Sequence, residues 1–282
     1  MVASSGSVLR HSRWLRWTCG LLAADLLALA AGAAEAQWGR RWRGGPPRFP
    51  DPVKTDRSFS FARVMFQSLR REPGGYGWST DYPLSDNNFM IRLSELTRTP
   101  VSLDPYGGPN HVVVRLTDPE LFDYPFIFMS DVGTAYFSDD EAVGLRHYLE
   151  QGGFLWADDF WGPSAWDSWQ GEIRKALPSS QYPIADLPLN RQIFRGMFGI
   201  EGFSQIPSIK HWRRSGGATT SERGHRSEQP NFRGIANDEG RLMVLMTHNT
   251  DTADGWEREG EDTEYFYRFS IDAYAVGINV LM

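Results

Sequence analysis

The stretch that decides the fold runs from Tyr124 to Trp161. Tyr124-Pro125-Phe126-Ile127-Phe128-Met129-Ser130-Asp131 opens it, and Gly152-Gly153-Phe154-Leu155-Trp156-Ala157-Asp158-Asp159 leads to its end. Phe126 to Met129 and Phe154 to Ala157 are short, continuous apolar runs, as a strand buried on both faces requires. Between them Ser138-Asp139-Asp140-Glu141 spells a capping box, with a hydroxyl at the cap and a carboxylate three residues on. Ala142, Leu145 and Leu149 give that helix one buried stripe, and Gly152 suits the left-handed residue that ends it. Strand, helix and strand in this order form a parallel crossover unit. Both strands run into Asp131 or Asp158-Asp159, in the crevice outside the carboxyl ends of a parallel sheet, where such folds hold ligands.

The same alternation extends in both directions. Phe59 to Phe66 has strand length and precedes the Gly-rich loop Pro73-Gly74-Gly75-Tyr76-Gly77-Trp78. Ser85 and Asp86 are cap candidates for a helix with Phe89, Leu93 and Leu96 on one face, ending before Pro100. Val112 to Leu116 is the next strand. The pattern predicts an α/β fold with a doubly wound, mostly parallel sheet. Downstream, Ile173 to Leu177 suggests a further helix. Residues 178 to 230, rich in Pro and Ser, read as an irregular insertion in which Ser215 to Gln229 is an exposed loop. Asn237-Asp238-Glu239-Gly240 makes a hairpin turn between Phe232 to Ala236 and Leu242 to Met246. A closing helix from Glu264 carries Phe266, Phe269, Ala273, Val276 and Val280 on one face. No internal repeat is visible.

The amino terminus reads as an export signal over residues 1–36. Arg10, Arg13 and Arg16 precede an apolar run from Leu21 to Ala34, and Ala34-Glu35-Ala36 offers a small-x-small cleavage site before Gln37. Asp25 interrupts the run, which argues against a permanent span of roughly 20 apolar residues; an uncleaved anchor is the alternative. Residues 37–56, with Arg40, Arg41, Arg43 and Arg48, form a flexible, solvated lead-in to a single domain over 57–282. The expected location is periplasmic or extracellular, with membrane contact only in transit. Cleavage removes the only cysteine, Cys19. The mature chain then has no disulfide, thiolate ligand or cysteine nucleophile. A net charge of −6 argues against nucleic acid as a partner.

Several motifs, taken in order, resemble the bacterial DUF4159 family: Trp78-x-x-Asp81-x-Pro83, Asp86-Asn87-Asn88-Phe89, Tyr124-Pro125-Phe126, Gly152-Gly153-Phe154-Leu155 with Asp158-Asp159, and Thr247-His248-Asn249 followed by Asp251 and Trp256-Glu257. The resemblance spans about Phe59 to the carboxyl terminus. It implies a flavodoxin-like architecture similar to the class I glutamine amidotransferases, in which a cysteine on a turn after a central strand works with a His-x-Glu pair. The corresponding turn here, Met129-Ser130-Asp131-Val132-Gly133, has no cysteine, and His248-Asn249-Thr250 lacks the Glu. Glutamine amidotransferase activity is therefore not expected, and the fold alone carries no function across.

The candidate ligand crevice comprises Asp131, Asp158, Asp159, His248, Asn249 and Asp251, with Trp161 and Trp256 beside the acidic turns. Such oxygens with one imidazole suit Mg²⁺, Ca²⁺, Zn²⁺ or acid/base work. The competing reading makes each Asp a turn or helix cap. Ser130 activated by His248 would be a serine site, but no Gly-x-Ser-x-Gly surrounds it. Trp156, Trp161, Trp166 and Trp169 suit either a sugar platform or a core edge; Trp156, mid-strand, belongs to the core. His111, His147 and His225 read as surface residues. Two functions remain open: a non-catalytic binding or assembly module, partnered by a glycan or envelope protein, and a hydrolase of a carbohydrate or envelope substrate. Neither sequence nor spacing names a cofactor.

Overall fold

The computed structural model describes residues 45–51 and 57–282. The expected signal over 1–36 and most of the lead-in lie outside them. Of the lead-in arginines, Arg48 is described and is not a free tail residue. Its carbonyl accepts from Val113 N at 2.7 Å, and its guanidinium donates to Pro109 O at 3.1 Å.

The chain enters through β1 (Ala62–Val64) and β2 (Gln67–Ser68), forms α1 (Leu84–Thr97), and returns through β3 (Val112–Val114) and β4 (Phe126–Met129). The short β5 (Ala135–Tyr136), α2 (Asp139–Glu150), β6 (Phe154–Phe160) and α3 (Gly162–Ala176) follow. Then come β7 (Ile184–Asp186), α4 (Ile209–Arg214), β8 (Asn231–Ala236) and β9 (Leu242–His248). The chain closes with α5 (Thr252–Glu257), α6 (Thr263–Tyr265), a π turn over Phe266–Ser270 and α7 (Ile271–Leu281). Seven strands form one sheet in the order β3-β1-β4-β6-β9-β8-β7. The first five are parallel and the last two antiparallel. This is a flavodoxin-like doubly wound sheet extended by a hairpin, and its order reverses at β1, beside β4.

Side-chain alternation sorts the two faces. Phe61, Phe126, Phe128 and Trp156 share one apolar cluster with Phe89 of α1, Trp256 of α5, and Ala273 and Val276 of α7. Ile127, Met129, Leu155 and Ala157 are buried at the alternate positions, toward the crossover helices α2 and α3. The capping box at Ser138 is made in full, and Gly152 has φ +112°.

Several elements differ from the sequence expectation. Ser85 and Asp86 do not cap α1; both are buried inside its first turn, where Ser85 Oγ and Asp86 bind Arg63. Leu96 is exposed, and Met90 takes its place with Phe89 and Leu93. The helix expected over Ile173 to Leu177 starts much earlier, at Gly162, because the Trp-rich segment is its buried face: Trp169 and Ile173 are fully enclosed. Asp158 and Asp159 lie within β6 rather than beyond it, since the register with β9 shifts between Ala157 and Phe160. The 178–230 segment contains β7 and α4, and in the 215–229 loop Ser221 and Ser227 are buried and hydrogen-bonded to each other. His111 is buried, bridging Asn87 Oδ1 at 2.7 Å and the Tyr82 hydroxyl at 3.1 Å. Among the described residues no helix is long and apolar enough to cross a membrane.

Candidate functional site

The loops leaving the carboxyl ends of β1, β4, β6 and β9 meet at the sheet edge. The β2–β5 ribbon ties the first two together, pairing Ser68 with Ala135. Arg63 in β1 anchors the first loop from below. It is fully buried, holds Asp86 through Nε at 3.0 and 3.1 Å, and donates to the carbonyls of Trp78 at 3.3 Å and Thr80 at 2.9 Å. This fixes the backbone next to Asp81.

Backbone strain gathers at the same edge. Among the described residues, five other than glycine have positive φ, and four of these are Asp81 (63°), Asp131 (54°), Asp159 (54°) and Asn249 (62°). Asp and Asn tolerate this left-handed region best after glycine. Its cost of roughly 1–3 kcal/mol per residue persists where surrounding structure enforces it, a pattern that clusters at functional sites.

The loop turns converge a set of carboxyl groups. One oxygen each of Asp81, Asp251 and Asp254 lie within 4.8 Å of one another. Asp251 caps α5, its Oδ1 accepting from Asp254 N at 2.9 Å. That bond holds two of the three carboxyl groups on one helical turn. Asp81 Oδ2 is enclosed and has no hydrogen-bond partner among the described residues. Asp131 Oδ2 accepts from Gly77 N at 2.8 Å, and Asp159 Oδ1 accepts from the Trp161 indole at 2.9 Å. A Cβ on Gly75 would lie 2.3 Å from Asp131 Oδ2, so the Gly-rich loop has to be glycine there to approach.

Electrostatics set this group apart. Burial pushes Asp81 well above the ordinary carboxylate range, and Asp254, Glu257 and Asp159 push it further against the pull of Arg63. Asp159 is raised well above that range by burial, then by Asp131, Glu222, Asp158 and Asp254. Asp251 is raised in the same way by burial, Asp159 and Asp81. Burial raises Asp254 to about 7, with Glu257 and Glu222 adding to it against the hydrogen bond from Asp251. Asp131 also reaches about 7 through burial, although the Gly77 N–H and the nearby Arg223 and Arg70 oppose the rise. These groups share a negative field that no guanidinium or ammonium neutralises by direct contact with them, among the described residues.

The remaining expected site residues divide differently. Asp158 serves the fold: its Oδ2 accepts from Thr252 N at 2.8 Å and Ala253 N at 3.1 Å, capping α5, while Oδ1 holds the hydroxyls of Thr247 and Thr252. Burial raises it to about 6 against those bonds. Asn249 ties loops together, its Oδ1 accepting from Gly162 N at 2.7 Å and its Nδ2 donating to Gln229 O at 2.8 Å. His248 does not join the carboxyl groups by any hydrogen bond. Its Nε2 meets Gly162 O at 3.1 Å, which places the proton there, and its ring lies against Phe160 and Trp166. Burial and Arg233 hold its pKa down to about 4 against that bond, so it stays neutral near pH 7.

Ser130 Oγ is fully enclosed and bonds to nothing among the described residues, His248 included. Trp161 lies at the crevice beside Asp159, whereas Trp256 is wholly buried between Phe89 and Trp156 in the core. The sequence reading missed Asp81 and Asp254 as site members. The spacing Asp251-x-x-Asp254 at a helix start was the available signal: a cap and a third-position acid face each other across one turn.

The family model for DUF4159, a domain of unknown function, matches residues 60–282, and the chain belongs to that family. No curated protein matches the sequence.

Proposed function

We propose that this DUF4159 protein is an exported hydrolase that binds a divalent metal ion between Asp81, Asp251 and Asp254 and uses it on an extracytoplasmic substrate. One observation carries the reading: three ligand oxygens within 4.8 Å, two from one helical turn and one from a loop in left-handed conformation, with no cationic side chain bonded to them among the described residues. Carboxyl groups crowded in this way must take up protons or a cation. An all-carboxylate donor set suits hard cations such as Mg²⁺ or Ca²⁺ rather than Zn²⁺, which favours nitrogen and sulfur ligands.

The chemistry follows from the neighbours. A bound ion would acidify a coordinated water and polarise an acyl, phosphoryl or glycosidic oxygen. Asp131 lies apart from the three ligands, held by the Gly77 N–H, and with a pKa of about 7 it is poised to accept a proton near neutral pH. Asp159, bonded by Trp161, borders both. What supports the enzyme reading over a cation-binding module is a further carboxyl group outside the three ligands, Asp131, whose pKa is raised to about 7 as acid/base work requires. The test is a panel of chromogenic ester, phosphoester and glycoside substrates with and without Mg²⁺, Ca²⁺ or Mn²⁺ at pH 7.5. Cation-dependent turnover that falls at least 100-fold, about 2.7 kcal/mol in the barrier, in Asp131→Asn supports the reading. Turnover equal in the variant, or no cation binding at all, overturns it.

A further inference from the structure

We infer that the substrate carries an oxyanion group, held by Arg226 and Arg233 in the hollow beside His248. The hollow has a volume of about 310 Å³ and lies between the first turn of α3, the loop before β8 and the ends of β8 and β9. Pro163, Trp166, Arg226, Asn231, Arg233 and His248 are among its walls. Arg226 is exposed, and its guanidinium makes no ion pair or hydrogen bond among the described residues. Arg233 is set differently. Its guanidinium lies 4.2 Å from the centre of the Trp166 ring, and Nε donates to the exposed Asp186 at 3.0 Å. Stacking on an aromatic face orients a guanidinium while leaving edge donors for a second acceptor. The remaining bond of Arg233, from Nη2 to Asn231 Oδ1, is long at 3.4 Å.

Two guanidinium groups line one concave wall; among the described residues Glu228 is the acid in that wall and Asp186 pairs with Arg233 through Nε, so Arg226 and the remaining edge of Arg233 are what an anion would meet, on a chain whose net charge is −6. His248 adds a flat, neutral wall to the hollow. The hollow also adjoins the carboxyl crevice through two short chain segments. Gly162, whose carbonyl accepts from His248, follows Asp159 and Trp161, and Asn249 precedes Asp251. A ligand spanning both would place its acidic group on the arginines and its reacting group over the carboxyl crevice. This rests on the hydrolase reading for the reaction, but anion binding by the hollow does not require the metal ion.

The test is calorimetric titration of the full chain in EDTA with sodium glucuronate, inorganic phosphate and neutral glucose. The expected result is binding of either or both anions and not of glucose. Arg226→Gln should weaken it by about 10-fold or more, the loss of one charge-assisted contact, with an unchanged melting temperature. Glu228→Gln should strengthen it. Preference for glucuronate identifies a carboxylate source and preference for phosphate a phosphoester source. Absence of anion binding, or equal binding by wild type and Arg226→Gln, overturns the inference. Ca²⁺ titration of the full chain after EDTA has been dialysed away, in phosphate-free buffer, separates the two claims, since a cation that binds while anions do not leaves the hydrolase reading standing alone.

Discussion

Two buried sets of charge lie within one loop of each other, and the fold treats them in opposite ways. Beneath α1, Arg63 and Asp86 are both fully enclosed, and the guanidinium is satisfied by the carboxylate, Ser85 Oγ and the carbonyls of Trp78 and Thr80. At the carboxyl edge, burial raises the pKa of Asp81, Asp131, Asp159, Asp251 and Asp254, and neighbouring carboxylates raise each further: Asp254 that of Asp81, Asp131 that of Asp159, Asp159 that of Asp251, Glu72 that of Asp131 and Glu257 that of Asp254. The first arrangement meets the rule that a buried charge is matched by a partner and by hydrogen bonds. The second breaks it on strained backbone. The contrast between a fully satisfied ion pair and an unmatched set of carboxyl groups is the observation on which the proposed cation site rests.

The comparison breaks first at Arg63. Arg63→Met leaves Asp86 as a lone buried charge and should cost about 3–5 kcal/mol in urea unfolding, with much of that recovered in Arg63→Met/Asp86→Leu. Asp131→Asn should act in the opposite direction. A carboxyl whose folded pKa is raised to about 7 contributes stability that is fully present below its unfolded value and is lost as pH rises through 7. The amide keeps the Gly77 bond without that loss, so the variant should be more stable than wild type at pH 7.5 by about 1–3 kcal/mol and equal to it at pH 4. His248 works the other way, its stability present above the ordinary histidine value and lost as pH falls toward about 4. For that reason the difference between variant and wild type is the quantity to plot.

The smallest effect sharpens the contrast within one dipeptide. Asp158→Asn should destabilise by about 0.5–2 kcal/mol, the cost of a weakened helix cap, because its oxygens serve Thr252 N and Ala253 N. Asp159→Asn should not destabilise at pH 7.5, since it removes a charge repelled by Asp131 and Glu222. Thermal melts of the pair check this. Equal losses in both would make Asp159 a fold residue and remove it from the site.

The sheet could be read from local signals. Phe126 to Met129, the Ser138 box and the Asn237 to Gly240 turn each depend on neighbours a few residues away, and each forms as expected. The site was legible only in part, because the role of an aspartate depends on which side of a strand it leaves. Asp158 and Asp159 look alike in sequence; a register shift in β6 sends one under α5 and turns the other into the crevice. His248 followed a strand as the carboxyl groups do, yet the Gly162 carbonyl and the rings of Phe160 and Trp166 hold it in the neighbouring hollow. Trp256 stood next to acidic residues in sequence, and only the packing of α5 on α1 reveals it as core. Long-range placement decides such cases, and no periodicity records it.

The measurement that tests the central claim most directly is the effect of Ca²⁺ and Mg²⁺ on the melting temperature of wild type and Asp254→Asn, at pH 7.5 and at pH 5. If Asp81, Asp251 and Asp254 form a cation site, one of these ions should stabilise wild type at pH 7.5 by about 2.7 kcal/mol when present at 100 times its dissociation constant. The effect should shrink at pH 5, where protons compete for the same oxygens, and disappear in Asp254→Asn. No cation-dependent shift at pH 7.5, or the same shift in Asp254→Asn, would contradict the account.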